Sequence, residues 1–228
     1  MNGKLAEVSG KARILIVDDH PIVREGMALF LNLQQDLHAC CEAADAEGAL
    51  AAMAACEHRL VIVDISLGDD SGLNLIKTLR RLYPAVGLLA LSMHEESLFA
   101  ERALRAGANG YLMKQEGTQR ILLAVLQILA GKTYLSAAMQ NMQNSQLCSP
   151  QSGPSDMLAG LSAREFEVLH LIGMGFGTRQ IAEKLQRSIK TIEAHRASLK
   201  TKLQLESGRD LDRFALQWLA TADAEGRD

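Results

Sequence analysis

Asp64 sits near the end of the run Leu60-Val61-Ile62-Val63-Asp64-Ile65-Ser66, an apolar stretch of strand length with a single acid. Alone, this is an ordinary buried strand whose Asp begins a turn. A second run, Arg13-Ile14-Leu15-Ile16-Val17, also ends in acids, Asp18 and Asp19. If the two strands are parallel neighbours, three carboxylates meet at one sheet edge. They repel one another there, so the cluster requires protonation, cationic side chains or a metal ion. Oxygen donors select a hard cation, and a few carboxylates with water are how proteins usually hold Mg2+. Two more strand ends carry polar groups, Ser92 and Lys114. Singly, Ser92 reads as a turn hydroxyl and Lys114 as a solvated cation. With the acids they describe a metal-assisted site that has room for an anion.

The elements that must position these groups follow from the pattern of apolar residues. Strands are expected at 13–17, 37–42, 60–65, 86–91 and 111–113. Between them lie helical patterns at 22–33, 45–56, 73–82, 96–106 and 118–130, the first with Pro21 in its opening turn. A loop with Gly68 and Gly72 follows the central strand, Pro84 ends the third helix and Gly107 closes the fourth. Strands alternating with helices indicate βαβ units and a parallel sheet, and right-handed crossovers place helices on both faces. The expected fold class is α/β, a doubly wound five-stranded parallel sheet with a second, smaller all-α domain.

Around 140–156 the composition turns to Gln, Asn, Ser, Pro and Gly, with little to bury, which describes a linker. Beyond it the pattern is helical throughout. Ser162 and Glu165 make a capping box for a helix to about Met174. Thr178 is expected to cap the next helix to Leu185, Ser188 the one after, and Asp210 to begin a last helix containing Trp218. The resulting division is 1–136, a linker at 137–157, and 158–228.

With 228 residues, the chain is long enough for one large domain or two small ones, and nearly half its residues are hydrophobic, ample for a core. The net charge of -3 gives no global sign of a nucleic-acid or membrane partner, but the charge is uneven. Lys plus Arg against Asp plus Glu is 13 against 17 over 1–157 and 8 against 4 over 158–205. Cys40, Cys41, Cys56 and Cys148 show neither a CxxC pair nor a His at ligand spacing, so a reduced, cytoplasmic protein is expected. Residues 1–12 lack the apolar core of a signal peptide, and no apolar run approaches the length of a membrane span.

The segments Ile-Val-Asp18-Asp19-His-Pro-Ile-Val-Arg-Glu-Gly, Val-Asp64-Ile-Ser, Leu-Ser92-Met-His and Gly110-Tyr111-Leu-Met-Lys114 resemble the receiver domain of bacterial response regulators. The resemblance implies a flavodoxin-like receiver in which Asp64 accepts a phosphoryl group from a sensor histidine kinase. It also implies that Asp18, Asp19, Asp64 and the backbone carbonyl of Ser66 hold Mg2+. Lys114 would pair with phosphoryl oxygens, while Ser92 and Tyr111 rearrange as the switch, the hydroxyl swinging inward and leaving space for the ring. Such chemistry needs positioning and charge neutralisation more than covalent machinery, which suits a divalent ion and a Lys. The chain departs from the pattern at Gly68, where relatives usually carry Pro, and at the acids Asp69 and Asp70, so a looser, more acidic loop is expected. Gln115 likewise replaces a Pro common after the Lys.

The later segments Leu161-Ser-Ala-Arg-Glu-Phe-Glu-Val-Leu, Gln180-Ile-Ala-Glu-Lys-Leu and Lys190-Thr-Ile-Glu-Ala-His-Arg resemble the LuxR-type helix-turn-helix that follows receivers of the NarL/FixJ class. By match to that family, Glu193, Ala194 and Ala197 face the DNA groove. Lys190, Thr191, His195, Arg196, Lys200 and Lys202 are in reach of phosphates, which supply affinity rather than sequence. Glu193 can accept from cytosine N4, and two alanines leave room for methyl contacts or DNA shape. Leu211, Phe214 and Trp218 on the last helix are the expected dimerisation residues, although most of that stripe also suits a core.

The reading is a two-component response regulator. Phosphorylation of Asp64 controls homodimer formation and binding to promoter DNA, with Mg2+ as cofactor and no membrane partner. Two other classes remain open: a Mg2+-dependent phosphohydrolase, disfavoured by Ser66 where such enzymes carry a second Asp, and an interaction protein that works without phosphate.

Overall fold

The computed structural model describes residues 10–67, 72–93, 96–135, 158, 160–185 and 187–225. The chain divides into two compact units, Met1–Ser149 and Pro150–Asp228. The expected linker at 137–157, the loop carrying Gly68, Asp69 and Asp70, and the turn residue Gln186 lie outside the described residues.

In the first unit, β1 (Ala12–Val17), β2 (Leu37–Ala43), β3 (Leu60–Asp64), β4 (Gly87–Ser92) and β5 (Gly110–Met113) alternate with helices. These are α1 (Pro21–Asn32), α2 (Ala46–Ala55), α3 (Gly72–Leu82), α4 (Glu96–Arg105) and α5 (Thr118–Leu129). All strand pairs are parallel in the order β2-β1-β3-β4-β5, the flavodoxin-like doubly wound arrangement. Neighbouring strands pair Val17 with Val63, Asp64 with Leu91 and Ser92 with Met113. The polar strand ends therefore arrive together at the carboxyl edge, where ligands sit in open α/β sheets.

Alternation along the strands splits the apolar residues between two faces. Ile14, Ile16, Leu60, Ile62, Leu89 and Leu91 pack with Met27 and Leu31 of α1 and Ala124, Val125 and Ile128 of α5. Leu15, Val17, Val61 and Val63 are equally buried, on the side covered by α2, α3 and α4. Burying each such aliphatic side chain contributes roughly 2 kcal/mol, which fixes the register that sets the carboxyl edge. A bulge interrupts β2: Ile14 pairs with Ala39 but Leu15 with Cys41, leaving Cys40 as an extra residue. It switches the faces of the strand, so that Leu37 lies in the α1/α5 core while Ala43 lies beside Gly48 of α2.

The second unit has four helices, α6 (Ala163–Gly173), α7 (Thr178–Lys184), α8 (Ile189–Lys202) and α9 (Gly208–Glu225), among the described residues. The Ser162–Glu165 capping box is present, and the Ser188 hydroxyl accepts from the Thr191 N–H at 3.0 Å. Thr178 is not a cap. The Gln180 side chain takes the Gly177 N–H at 2.9 Å, so α7 begins one residue earlier and Thr178 is its first helical residue. The last helix likewise starts at Gly208 rather than Asp210, because the Asp210 carboxylate reaches back to the Ser207 N–H and hydroxyl. It runs for 18 residues and contains Trp218 as expected.

Candidate functional site

Asp18 and Asp64 are almost completely buried, at 1% and 2% exposure. The Lys114 ammonium lies between them, 2.6 Å from Asp18 Oδ2 and 2.7 Å from Asp64 Oδ2. Burial pushes the Asp64 carboxyl above its ordinary range, the Lys114 charge pulls it back, and Asp18 adds to the push. For Lys114 burial acts downward, but the two carboxylates outweigh it and keep the ammonium charged. Asp64 Oδ1 accepts from the Ser66 N–H at 3.0 Å, which fixes the rotation of the carboxylate. The backbone is held nearby by Gly72, whose N–H donates to Ile65 O at 3.1 Å. A Cβ at Gly72 would lie 2.1 Å from Asp64 O, so this loop closes tightly only around glycine.

Asp19 completes the acidic group from the turn after β1. His20 Nδ1 stands 2.7 Å from Asp19 Oδ1 and 3.2 Å from Asp18 Oδ1, and the His20 N–H donates to Asp18 Oδ1. One donor atom from each of Asp18, Asp19, His20 and Asp64 lies within 4.8 Å of the others. The carboxylates are the hard-oxygen set that suits Mg2+. Arg24 Nη1 donates to Asp18 O at 2.5 Å and ties the end of β1 to α1. His20 and Arg24 were not among the expected site residues. Their signal in the sequence is position alone, directly behind the Asp pair and one helical turn farther on.

Ser92 is fully buried, and Tyr111 is 1% exposed with its hydroxyl at Ser92. Burial drives the phenol well above its ordinary range, so it is a neutral hydrogen-bonding group. The Tyr111 ring is thus already inside the fold, with its hydroxyl at Ser92.

In the second unit Glu165 joins two helices. Its carboxylate caps α6 and also accepts from Ser198 Oγ and Lys202 Nζ of α8, each at 2.6 Å. Burial opposes ionisation, but these donors prevail and hold the carboxyl at about 2. Arg196 pairs with Asp212 of α9 at 2.7 Å and is only 18% exposed. Lys202 and Arg196 thus each have an ion-pair partner within the unit, although Lys202 remains exposed. Glu193, Ala194, Ala197 and Lys190 are exposed, Thr191, His195 and Lys200 partly so, while Ile192 and Leu199 hold the other face of α8 in the core. Leu211 is fully buried, which removes it from the expected dimer surface. Phe214 and Trp218 are half-buried, and Trp218 packs edge-on against Phe166 at 5.1 Å.

The family profile described as "Response regulator receiver domain" matches residues 14–126, and "Bacterial regulatory proteins, luxR family" matches 159–215. The oxygen regulatory protein NreC of Staphylococcus epidermidis is 35% identical over 213 residues, 90% of this chain and 97% of that protein. The chain belongs to the two-component response regulators of the NarL/FixJ class. The NreC of Staphylococcus haemolyticus is 36% identical over 212 residues, with 90% and 97% covered. Among solved structures, RcsB from Salmonella enterica serovar Typhimurium bound to promoter rprA in the presence of the phosphomimetic BeF3- is 26% identical. It covers 90% of this chain and 98% of its own, with a TM-score of 0.56. A LuxR-family two-component response regulator from Aurantimonas is 33% identical, with 60% and 99% covered and a TM-score of 0.55. As a response regulator of this class, the protein is a transcription regulator with a receiver and a helix-turn-helix DNA-binding domain. Among the described residues, no helix is long and apolar enough to cross a membrane.

Proposed function

We propose that Asp64 is the phosphoacceptor and that a sensor histidine kinase is its donor. The observation that carries this is the buried Asp64 carboxylate, aimed by the Ser66 N–H and held 2.7 Å from the Lys114 ammonium. An Asp64 oxygen attacks phosphorus in line, forming a P–O bond while the leaving group departs with the electron pair of the bond it loses. The acyl phosphate brings roughly two negative charges, by analogy with other phosphorylated side chains. Lys114 then transfers its pairing from the carboxylates to the phosphoryl oxygens. Asp18, Asp19, Asp64 and the Ser66 carbonyl would hold Mg2+, which supplies neutralisation of the developing charge. Ser92 turns from Tyr111 to a phosphoryl oxygen, and the two hydrogen-bonding states of this pair bias the rest of the receiver.

The output we infer is a cytoplasmic homodimer that places two α8 helices on symmetric half-sites of promoter DNA. Glu193, Ala194 and Ala197 read the groove; Lys190, Thr191, His195 and Lys200 neutralise phosphates. Phe214 and Trp218 offer their exposed parts to the dimer surface. Support comes from the exposure of these α8 residues and from the RcsB–DNA complex to which the chain is similar. The domain bounds 1–136 and 158–228 follow from the same reading. Regulation rather than turnover fits position 66, where the chain offers a serine N–H to Asp64 and no second carboxylate.

The test is incubation of the full chain with a small-molecule phosphodonor and Mg2+, read by intact mass. Wild type gains one phosphoryl group and Asp64→Asn gains none. A wild-type chain that stays unlabelled, or an Asp64→Asn chain labelled as well as wild type, overturns the assignment.

A further inference from the structure

Cys40, Cys41 and His58 converge in the first unit at residues separate from the acidic cluster. One Sγ from each cysteine and a ring nitrogen of His58 all lie within 4.8 Å of one another. No metal-ligand spacing announces this in the sequence, because the grouping depends on the β2 bulge. In a regular strand adjacent side chains point to opposite faces. Cys40 is the extra residue of the bulge, and such a residue re-aims its neighbours, so here two consecutive thiols share one side. Cys56, the C-terminal cap of α2, adds a third thiol whose charge acts on Cys41.

His58 supplies an independent sign. It is 6% exposed, and neither ring nitrogen has a partner in hydrogen-bond geometry, although the backbone of Cys56 lies close. Burying an imidazole without partners is costly, and native structures seldom keep such a group without a use for it. A ring nitrogen within 4.8 Å of two thiols has an obvious one.

We propose that Cys40, Cys41, Cys56 and His58 form a second metal centre, for a thiophilic cation of the Zn2+ class. Three sulfurs and one imidazole nitrogen are a donor set Zn2+ adopts at closed, structural sites, whereas Mg2+ avoids it. Tetrahedral Zn–S bonds of about 2.3 Å place sulfurs roughly 3.7 Å apart, so Cys40, Cys41 and His58 need draw in by only about 1 Å, while Cys56 closes in by side-chain rotation. Each thiol that binds releases its proton to solvent. Entry is through a cavity of about 650 Å³ bounded by Lys11, Arg13, Met53, Cys56, His58 and Tyr83. Arg13 is the charge that opposes a cation here. Its guanidinium contacts the Cys40 thiol but is exposed, so it can turn outward as the metal enters. The bound ion would fasten β2 to the turn between α2 and β3.

The experiment titrates the reduced full-length chain with Co2+, in excess Mg2+ so that the acidic site is filled. Wild type is expected to take up one equivalent with a thiolate-to-cobalt charge-transfer band that Zn2+ abolishes. Cys41→Ser and Cys40→Ser weaken this uptake by roughly 100-fold or more, since even second-shell changes cost about 10- to 100-fold. Cys148→Ser and Asp64→Asn keep the band. If the serine variants fail to fold, peptide-resolved alkylation of wild type replaces them: Zn2+ should shield Cys40, Cys41 and Cys56 but not Cys148. Absence of the band in wild type, a band indifferent to Cys40 and Cys41, or equal alkylation with and without Zn2+ overturns the proposal.

Discussion

Lys114 is the residue on which the receiver site balances. Its side chain is nine-tenths buried, and the ammonium sits within 2.7 Å of two carboxylates that are themselves shielded from water. Replacing it by Met leaves that pair facing each other with no cation, a loss of about 3–5 kcal/mol for an uncompensated buried charge. Denaturant unfolding of Lys114→Met in chelator should show this deficit, and added Mg2+ should restore much of it, with a smaller gain in wild type. Glu165 plays the matching part in the second unit, with the opposite pH consequence. Its folded carboxyl is depressed to about 2, so its stabilising effect is complete above the ordinary carboxylate range and disappears as pH falls through that depressed value. The helical second unit is therefore expected to lose stability between about pH 5 and about pH 2. Glu165→Gln should cost about 2 kcal/mol at neutral pH and flatten that acid slope in thermal melts, because the amide keeps the shape but loses the charge-assisted bonds.

At the scale of elements, backbone conformation singles out the end of α8. Gln204 has φ 56, in the left-handed region, while the Leu205 N–H closes the helix on Lys200 O. Glycine fits such a position without a Cβ, so Gln204→Gly should stabilise the second unit by about 0.5–1 kcal/mol in denaturant unfolding. Much of the architecture is legible in the sequence for plain reasons. Five apolar runs alternate with helical patterns, and Asp18, Asp64, Ser92 and Lys114 stand at strand ends, so a parallel sheet must gather them. What is not legible depends on pairing or packing across distance. Nothing local shows that Arg196 will meet Asp212 or that Lys202 will meet Glu165, because both partners come from other helices. Leu211 belongs to a stripe that suits a core and an interface equally, and only packing against the other helices decides. Thr178 does not cap its helix because the Gln180 side chain takes the Gly177 N–H, and the last helix opens before Asp210 because Ser207 and Asp210 cap it together.

For the whole molecule, a net charge of -3 conceals a basic segment, and this determines how DNA binding should answer to salt. Each phosphate neutralised by a lysine contributes close to one unit to the logarithmic salt slope. Lys190→Ala and Lys200→Ala should each lower the slope by about one with no change in sequence preference. Arg196→Ala should instead lower the unfolding temperature, because its partner is Asp212. Fluorescence anisotropy over a salt series, beside a melt of each variant, separates the two effects. The bulge in β2 has a different kind of consequence. Ala39 and Cys41 already face consecutive residues of β1, so a chain one residue shorter at position 40 would form an unbroken ladder with every later pairing intact. The pairing of the two strands does not require the extra residue; what it changes is where the neighbouring side chains point.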